Sequence, residues 1–190
     1  MSYYSHDELN ELGFLELGKN VKVSKKASIY GVSRIAIGDN TRVDDFAVLS
    51  AGKNGIEIGR NVHMAVFSML IGEGRITLGD FSGLSSRASI YSSSDDYSGD
   101  FLTNPTVPKR FTSVFSKDVV LEKHVIVGAS SVILPGVVIG EGCAVGANSL
   151  VNKSAESFTI VAGSPAKEIG TRKNKLLVLE SEYFASEIKG

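Results

Sequence analysis

The chain has 190 residues, of which 20 are basic and 21 acidic, so its formal net charge is −1. This balance argues against a nucleic-acid-binding protein, because phosphate binding needs a basic surface. No apolar stretch is long enough to cross a bilayer, the N-terminus lacks the apolar core of a signal peptide, and the single cysteine excludes an intramolecular disulfide or a cysteine-cluster metal site. We therefore expect a cytoplasmic protein without a transmembrane segment.

A short helix is predicted at the N-terminus. Ser5-His6-Asp7-Glu8 has the pattern of a capping box, in which Ser5 caps the backbone N–H of Glu8 and Glu8 reaches back to Ser5. The helix should run through Leu12 and end at Gly13. We expect residues 1–16 to form a cap over the open edge of the domain that follows.

An aliphatic residue recurs at every sixth position, in groups of three, through most of the remaining chain. This spacing fits neither a helical stripe, with its period of about 3.6, nor a flat strand, with its period of about 2. It is typical of short strands separated by corners, three of which form a triangular coil, and the coils stack as a parallel β-helix. The leading residues are Leu17, Val23, Ile29, Ile37, Val43, Leu49, Ile58, Met64, Leu70, Leu78, Leu84, Ile90, Leu121, Val127, Ile133, Ile139, Val145 and Val151.

The distances between coil starts predict one large excursion. Successive coils begin 20, 21, 20, 43 and 18 residues apart, and 18 is the plain triangle of three hexads. Small insertions at one corner, around 32–35, 53–56 and 72–76, account for the values of 20 and 21. The value of 43 predicts that residues 95–118 leave the solenoid as a loop, which contains Pro105 and Pro108. Long loops within compact domains usually carry function.

Two further places in the hexad support this architecture. Glycine follows the leading aliphatic residue in seven hexads, which we attribute to unusual backbone angles at a corner. The fifth place holds small or β-branched residues that suit the crowded interior of a narrow triangle. Cys143 occupies such a place, so we interpret it as a packing residue rather than a nucleophile.

A second helix is predicted near the C-terminus. Residues 174–188 place Leu176, Leu177, Leu179 and Phe184 in an amphipathic pattern. We therefore divide the chain into an N-terminal helical cap at 1–16, a β-helix domain at 17–170 and a C-terminal helical tail at 171–190.

Over about residues 17–170 the chain resembles the hexapeptide-repeat acyltransferases. The resemblance rests on the hexads, the late excursion, the run VGASSVILPGVVIGEGCAVGANSLV and the later AGSPAK. It is strongest to the sugar O-acetyltransferase branch, which includes the galactoside and maltose acetyltransferases. It implies an all-β solenoid, a left-handed parallel β-helix of about six coils. It also implies a homotrimer with active sites between subunits, and acetyl-CoA as co-substrate with no metal.

One position departs from the pattern of the family. The catalytic histidine of the family ends the third hexad of the coil that immediately precedes the loop. This chain has Asp95 at that position. Transfer to a hydroxyl needs a base that titrates near neutral pH, which favours histidine. We interpret His6 as a solvated helix residue and His124 as an exposed corner residue. By register, His63 matches an aromatic residue of the acceptor pocket, with a surface histidine stacked on Arg42 as the alternative.

The sequence therefore predicts a rearranged dyad. His63 Nε2 would take the proton of the acceptor hydroxyl, and Asp95 or Asp96 of a neighbouring subunit would hold the other ring nitrogen. Asp95 acting alone as the base is an alternative, although an ordinary carboxylate is a weak base.

Glu73 and the cofactor residues follow from register with the family, whereas Tyr91, Ser93 and Tyr97 are candidates because they lie in or beside the polar run that leaves the coil; each has an ordinary surface role as the alternative. The acceptor is predicted to contact Glu73, Tyr91, Ser93 and Tyr97. Acetyl-CoA is predicted to lie along Ala129 and Ala147, to reach Asn152 and Lys153 at its adenine end, and to be covered by Gly163, Ala166 and Lys167. Lys153 and Lys167 are the expected phosphate partners.

Our main functional prediction is an acetyl-CoA-dependent O-acetyltransferase for a sugar or glycan acceptor. The alternative is an N-acetyltransferase of a nucleotide-linked amino sugar, because an amine needs less help from a base and would tolerate Asp95. We reject a zinc carbonic anhydrase of this fold, because His6 precedes the repeats and the other two histidines lie in different registers. A non-catalytic assembly solenoid is less favoured because AGSPAK is retained.

Overall fold

The computed structural model describes residues 2–187 and begins with the predicted helix, His6–Leu12. The capping box is present: Ser5 Oγ accepts from Glu8 N at 3.2 Å, and Glu8 Oε2 accepts from Ser5 N at 2.7 Å. Gly13 ends the helix in the left-handed conformation. Leu9 is fully buried in the common core, so this helix packs against the solenoid.

Three parallel sheets form the faces of a triangular solenoid. The first sheet contains Glu16–Leu17, Ile35–Ile37, Ile56–Ile58, Ile76–Leu78, Val119–Leu121 and Val138–Ile139. The second contains Lys22–Val23, Arg42–Val43, His63–Met64, Gly83–Leu84, Ile126–Val127, Ala144–Val145 and Thr159–Gly163, with Ala166–Thr171 antiparallel at its edge. The third contains Ser28–Tyr30, Val48–Ala51, Met69–Gly72, Ser89–Tyr91, Val132–Ile133 and Leu150–Val151.

The predicted parallel β-helix and its register are confirmed. The leading aliphatic residues pair directly between coils, and Leu78 pairs with Leu121 across the offset of 43 residues. There are six full coils, as predicted, and the structure adds a partial seventh, in which Ala155 bridges to Ile139 and Val161 pairs with Val145. Its strand, Thr159–Gly163, was missed because it does not follow Val151 at the hexad spacing.

The leading residues fill the interior of the triangle. All of them are buried except Leu17 and Ile29, which belong to the first coil and are partly buried. The small residues of the fifth place are buried beside them, apart from the partly buried Ala27 of the first coil, and Cys143 is fully buried, as its packing role requires. Burial raises the pKa of the Cys143 thiol, which makes a thiolate unfavourable.

Our explanation of the repeated glycines was wrong. None of the seven has a positive φ, whereas positive φ occurs at the fourth place of hexads, for example at Phe46, Phe67 and Phe81. The glycines are required instead by the close approach of adjacent coils. A Cβ at Gly79, for instance, would lie 2.6 Å from the backbone of Glu122 and Lys123 in the next coil.

The excursion is a ribbon rather than a plain loop. Ser93–Asp95 pairs antiparallel with Val114–Ser116, so the departure from the solenoid begins two residues before the predicted boundary. A short 3-10 helix, Lys109–Phe111, lies between the two strands. The remainder of the segment has the irregular structure that its prolines predict.

The C-terminal region forms a hairpin and a helix. Ala166–Thr171 folds back on Thr159–Gly163, with a cis peptide bond between Ser164 and Pro165 at the turn. The helix Lys175–Glu187 matches the predicted segment, although residue 188 lies outside the described residues. Neither helix in the described part of the chain is long and apolar enough to span a bilayer.

Candidate active site

A groove of about 920 Å³ lies between the excursion and the corner where the third sheet turns into the first. Three predicted residues, Glu73, Ser93 and Asp95, line it together. The corner turns of successive coils stack as a ladder: Glu73 N donates to Ser93 Oγ at 3.3 Å, and Lys53 N donates to Glu73 Oε2 at 3.1 Å. The register prediction therefore brought these acceptor-site candidates to one place.

Asp95 is the carboxylate of this groove that has no hydrogen-bond or ion-pair partner among residues 2–187. It lies at the end of the ribbon strand Ser93–Asp95, and its side chain is exposed. Its carboxylate makes no hydrogen bond or ion pair with any of residues 2–187. A carboxylate in this state can accept hydrogen bonds from an incoming substrate.

Asp96, Tyr97 and Tyr91 do not line the groove. Asp96 is committed to its own turn, where Oδ1 accepts from Ser98 Oγ at 2.8 Å and Oδ2 accepts from Gly99 N at 2.9 Å. The hydrogen bond from Ser98, followed by those of the backbone, holds the pKa of Asp96 below its ordinary value. Tyr97 is 91% exposed, and Tyr91 pairs with Ile71 within the third sheet.

His63 lies on the second sheet, away from the groove. Its Nε2 is 2.9 Å from Asp44 Oδ2, so the atom to which the base role was assigned is already paired. Asp44 is buried and also accepts from Arg42 Nε at 2.6 Å and Arg42 Nη2 at 3.1 Å. Burial would raise the pKa of Asp44, but the hydrogen bonds from Arg42 and His63 outweigh it and lower that pKa. The dyad of His63 with a neighbouring subunit's Asp95 or Asp96 stays a prediction.

A notch of about 310 Å³ lies beside His63 and exposes Ser85. Gly83 pairs with His63 in the sheet, and a Cβ at Gly83 would have only His63 O near it, at 4.0 Å. Close packing therefore does not require this glycine, and its missing side chain leaves the notch open. Ser85 is half-buried at the wall of the notch. Ser85 was not among the predicted site residues, because a serine in the stretch GLSS has no distinguishing sequence pattern.

The expectation that His124 is exposed was wrong. It is only 9% exposed, its ring stacks on Phe81 with centroids 5.2 Å apart, and its Nε2 lies 3.0 Å from Glu180 Oε2. The C-terminal helix that carries Glu180 covers this corner, which hexad counting could not reveal. His6 is exposed on the N-terminal helix, as expected. Among residues 2–187 there is no group of three or more potential metal ligands.

The predicted cofactor residues lie in a column, which also contains Ser86, and in a cleft. Ser86, Ala129, Ala147 and Gly163 each lie two residues beyond paired strand positions of the second sheet, so they stack in successive coils. Backbone hydrogen bonds join the column, including Ser130 N to Ser86 O at 3.0 Å and Asn148 N to Ala129 O at 2.9 Å. A cleft of about 520 Å³ lies near its upper end and is lined by Asn152, Lys153, Ala166 and Lys167.

Comparisons with known proteins agree with this architecture. The family described as bacterial transferase hexapeptide (six repeats) matches residues 118–153. A dTDP-4-amino-4,6-dideoxy-D-glucose acyltransferase of Escherichia coli is 48% identical over 188 residues, which is 99% of this chain and 98% of the relative. A hexapeptide-repeat acetyltransferase from Vibrio cholerae superposes with a TM-score of 0.59 at 25% identity, covering 89% of this chain and 80% of that one.

The structure also resembles AntD, an N-acyltransferase from Bacillus cereus crystallised with dTDP and 3-hydroxybutyryl-CoA. The TM-score is 0.94 at 46% identity, and 98% of each chain is covered. AntD has also been crystallised as variants altered at one aspartate and at one serine, two positions that are ten residues apart in its sequence. Some of these variants carry dTDP and coenzyme A, and others carry dTDP-4-amino-4,6-dideoxyglucose and coenzyme A.

Proposed function

Since this chain belongs to the hexapeptide-repeat acyltransferase family, we propose that it transfers an acyl group from acyl-CoA to the amino group of a nucleotide-linked 4-amino-4,6-dideoxy sugar. The observation that carries the proposal is Asp95, an exposed carboxylate without a partner among residues 2–187, at the place where the O-acetyltransferases have a histidine. Similarity along the whole chain to a nucleotide-amino-sugar acyltransferase and to AntD supports the same acceptor. These findings favour N-acylation, our alternative, over the O-acetylation that was our main prediction.

The chemistry explains why an aspartate suffices for an amine. A neutral amine is a nucleophile without deprotonation, whereas a hydroxyl must lose its proton as it attacks. The amine nitrogen attacks the thioester carbonyl carbon, and the carbonyl electron pair moves to oxygen. The nitrogen then carries a positive charge and its proton is far more acidic, so the Asp95 carboxylate can accept it. The electron pair on oxygen re-forms the carbonyl as the C–S bond breaks, coenzyme A leaves as the thiolate, and the amide remains on the sugar.

Ser85 is our candidate for stabilising the carbonyl oxygen during this step. It precedes Asp95 by ten residues, the spacing of the two altered positions in AntD. A hydroxyl directed at the thioester oxygen would donate a hydrogen bond as negative charge develops there. Ser85 also lies at the lower end of the column of Ser86, Ala129, Ala147 and Gly163. The small residues of this column leave a narrow path beside exposed backbone, along which the extended pantetheine of coenzyme A could lie.

This column leads to the proposed site for the phosphates of coenzyme A. Adjacent coils are about 4.8 Å apart, so the column from Ser86 to Gly163 is roughly 14 Å long. Pantetheine would lie along it, with Ala129 and Ala147 leaving room, and Lys153 and Lys167 in the upper cleft would face the phosphates. Asn152 and Ala166 line the same cleft and would contact the adenine end.

We further propose that a homotrimer completes the active site. The Ser85 notch and the Asp95 groove are separate cavities on one chain, so the two residues need contributions from two copies to reach one substrate. Equal mixing of a Ser85→Ala variant with an Asp95→Asn variant, after joint refolding, would then restore about one quarter of wild-type activity, because one interface in four combines both native residues. If both residues act from the same chain, no activity returns.

The reaction itself is tested with a matched pair of acceptors. Release of free coenzyme A would be measured with acyl-CoA and dTDP-4-amino-4,6-dideoxyglucose, and with the same nucleotide sugar carrying a 4-hydroxyl group. We expect turnover with the amine only and an amide product by mass spectrometry. Turnover with the hydroxyl compound alone would overturn the proposal and restore the O-acetyl assignment.

A further inference from the structure

We propose that Lys53 and Lys109 bind the diphosphate of the acceptor in the groove that Asp95 also lines, an assignment that rests on the proposed function. Both lysines line the groove of about 920 Å³, together with the carboxylates Glu73 and Asp95. A nucleotide-linked amino sugar also carries separated charges, since its amino group and its diphosphate lie on opposite sides of the sugar ring. The groove therefore has the charge pattern complementary to the whole acceptor and not only to its reacting amine.

The corner ladder fixes the separation of the two charged ends. Hydrogen bonds connect Lys53 N to Glu73 and Glu73 N to Ser93, so Lys53 lies two coils below the ribbon strand that ends at Asp95. With adjacent strands about 4.8 Å apart, Lys53 and the strand of Asp95 are roughly 10 Å apart along the solenoid axis. The Asp95 carboxylate and the Lys53 ammonium group therefore do not neutralise one another across a single short contact.

The two lysines approach the groove from different elements. Lys53 belongs to a corner of the solenoid, and Lys109 begins the 3-10 helix of the excursion. Within residues 2–187 neither ammonium group forms an ion pair or a side-chain hydrogen bond. The third cation of the groove differs, because Arg34 donates from Nε to Gly52 O at 2.8 Å and from Nη2 to Ala51 O at 2.7 Å. Arg34 thus holds the corner in place, and the two lysines are available for phosphate.

Binding of dTDP to the full-length protein, measured by calorimetry, tests this assignment without catalysis. We expect the dissociation constant for dTDP to rise about tenfold in Lys53→Ala and in Lys109→Ala, and about a hundredfold in the double variant. The KM for the nucleotide amino sugar should rise by similar factors while kcat is retained. Arg110→Ala is the matched control, because Arg110 is adjacent to Lys109 but lies over the Phe111 ring and does not line the groove.

A second titration, with coenzyme A, separates the two possible sources of a diphosphate. Unchanged affinity for coenzyme A in the lysine variants supports the assignment, and a loss of affinity for coenzyme A instead of dTDP overturns it. Wild-type affinity for dTDP in the double variant, with an unaltered unfolding midpoint, also overturns it. If the lysines prove necessary for dTDP binding but the amino sugar is not acylated, the proposed function fails while the diphosphate site stands.

Discussion

The repeated glycines can be tested with a matched pair of alanine substitutions in one coil. Gly79 and Gly83 both have ordinary backbone angles, so an explanation from φ predicts little effect at either. A Cβ at Gly79 would lie 2.6 Å from Glu122 and Lys123, where ordinary contact begins at 3.4 Å, and Gly79 N donates to Leu121 O at 2.7 Å. Alanine there must displace the backbone of the next coil and weaken this hydrogen bond, at a cost of about 3 kcal/mol.

Gly83→Ala should behave in the opposite way. Its Cβ meets only open space, and alanine reduces the conformational entropy of the unfolded chain, which stabilises the fold by about 0.5 kcal/mol. Thermal unfolding followed by circular dichroism should therefore separate the two variants by about 7–14 °C, at roughly 2–4 °C per kcal/mol for a chain of this length. Equal midpoints, or a lower midpoint for Gly83→Ala, would refute the argument from coil spacing.

Three further predictions concern individual carboxylates. Asp95→Asn should lower kcat for the amino sugar by about 10²-fold, because the amine loses its proton acceptor. Asp96→Asn alters only a turn and should leave kcat within about twofold. Equal losses of kcat in a steady-state assay would contradict the role of Asp95 as proton acceptor. Asp44→Asn should destabilise the fold by about 2 kcal/mol at pH 7, because the Arg42 guanidinium and the His63 ring lose their buried carboxylate partner. The lowered folded pKa of Asp44 stabilises the fold above its unfolded value of about 3.9, so this difference should shrink in urea unfolding as pH falls below 4. Glu180→Ala should loosen the C-terminal helix, detected as faster hydrogen exchange in 175–187, with the solenoid strands unchanged as internal reference.

The fold could be predicted because the hexad records a local geometry that repeats. Each leading residue occupies the same place in a triangle, so position in the repeat assigns a residue to a sheet and a coil, as the pairing of Leu78 with Leu121 confirms. Glu73, Ser93 and Asp95 were brought together for the same reason. Position in the repeat predicts these neighbours without any estimate of contact energies, because parallel pairing of similar units leaves few other arrangements.

The contacts that the sequence did not predict involve segments outside the repeat or side chains of different registers. His124 occupies an outward corner, and only the later helix, through Glu180 and the aromatic pair Tyr183 and Phe184 on Phe81, buries it. The sequence also did not predict that His63 pairs with Asp44, because Asp44 lies in the coil below at a hexad position that we treated as ordinary surface. Contacts between units of different registers depend on side-chain reach, which spacing alone does not encode.

The acceptor class that we propose rests on a conflict between the fold and one residue. The solenoid and the AGSPAK hairpin match the O-acetyltransferase pattern, yet the base of that pattern is replaced by Asp95, and His63 Nε2 is already bonded to Asp44. An enzyme that must deprotonate a hydroxyl during attack could not exchange its histidine for an ordinary carboxylate without a large loss in rate, whereas an enzyme for an amine could, because the proton leaves only after the attack has made it acidic. The missing histidine therefore supports the proposed amine acceptor, and Lys53 and Lys109 in the same groove suit the diphosphate of the proposed nucleotide sugar.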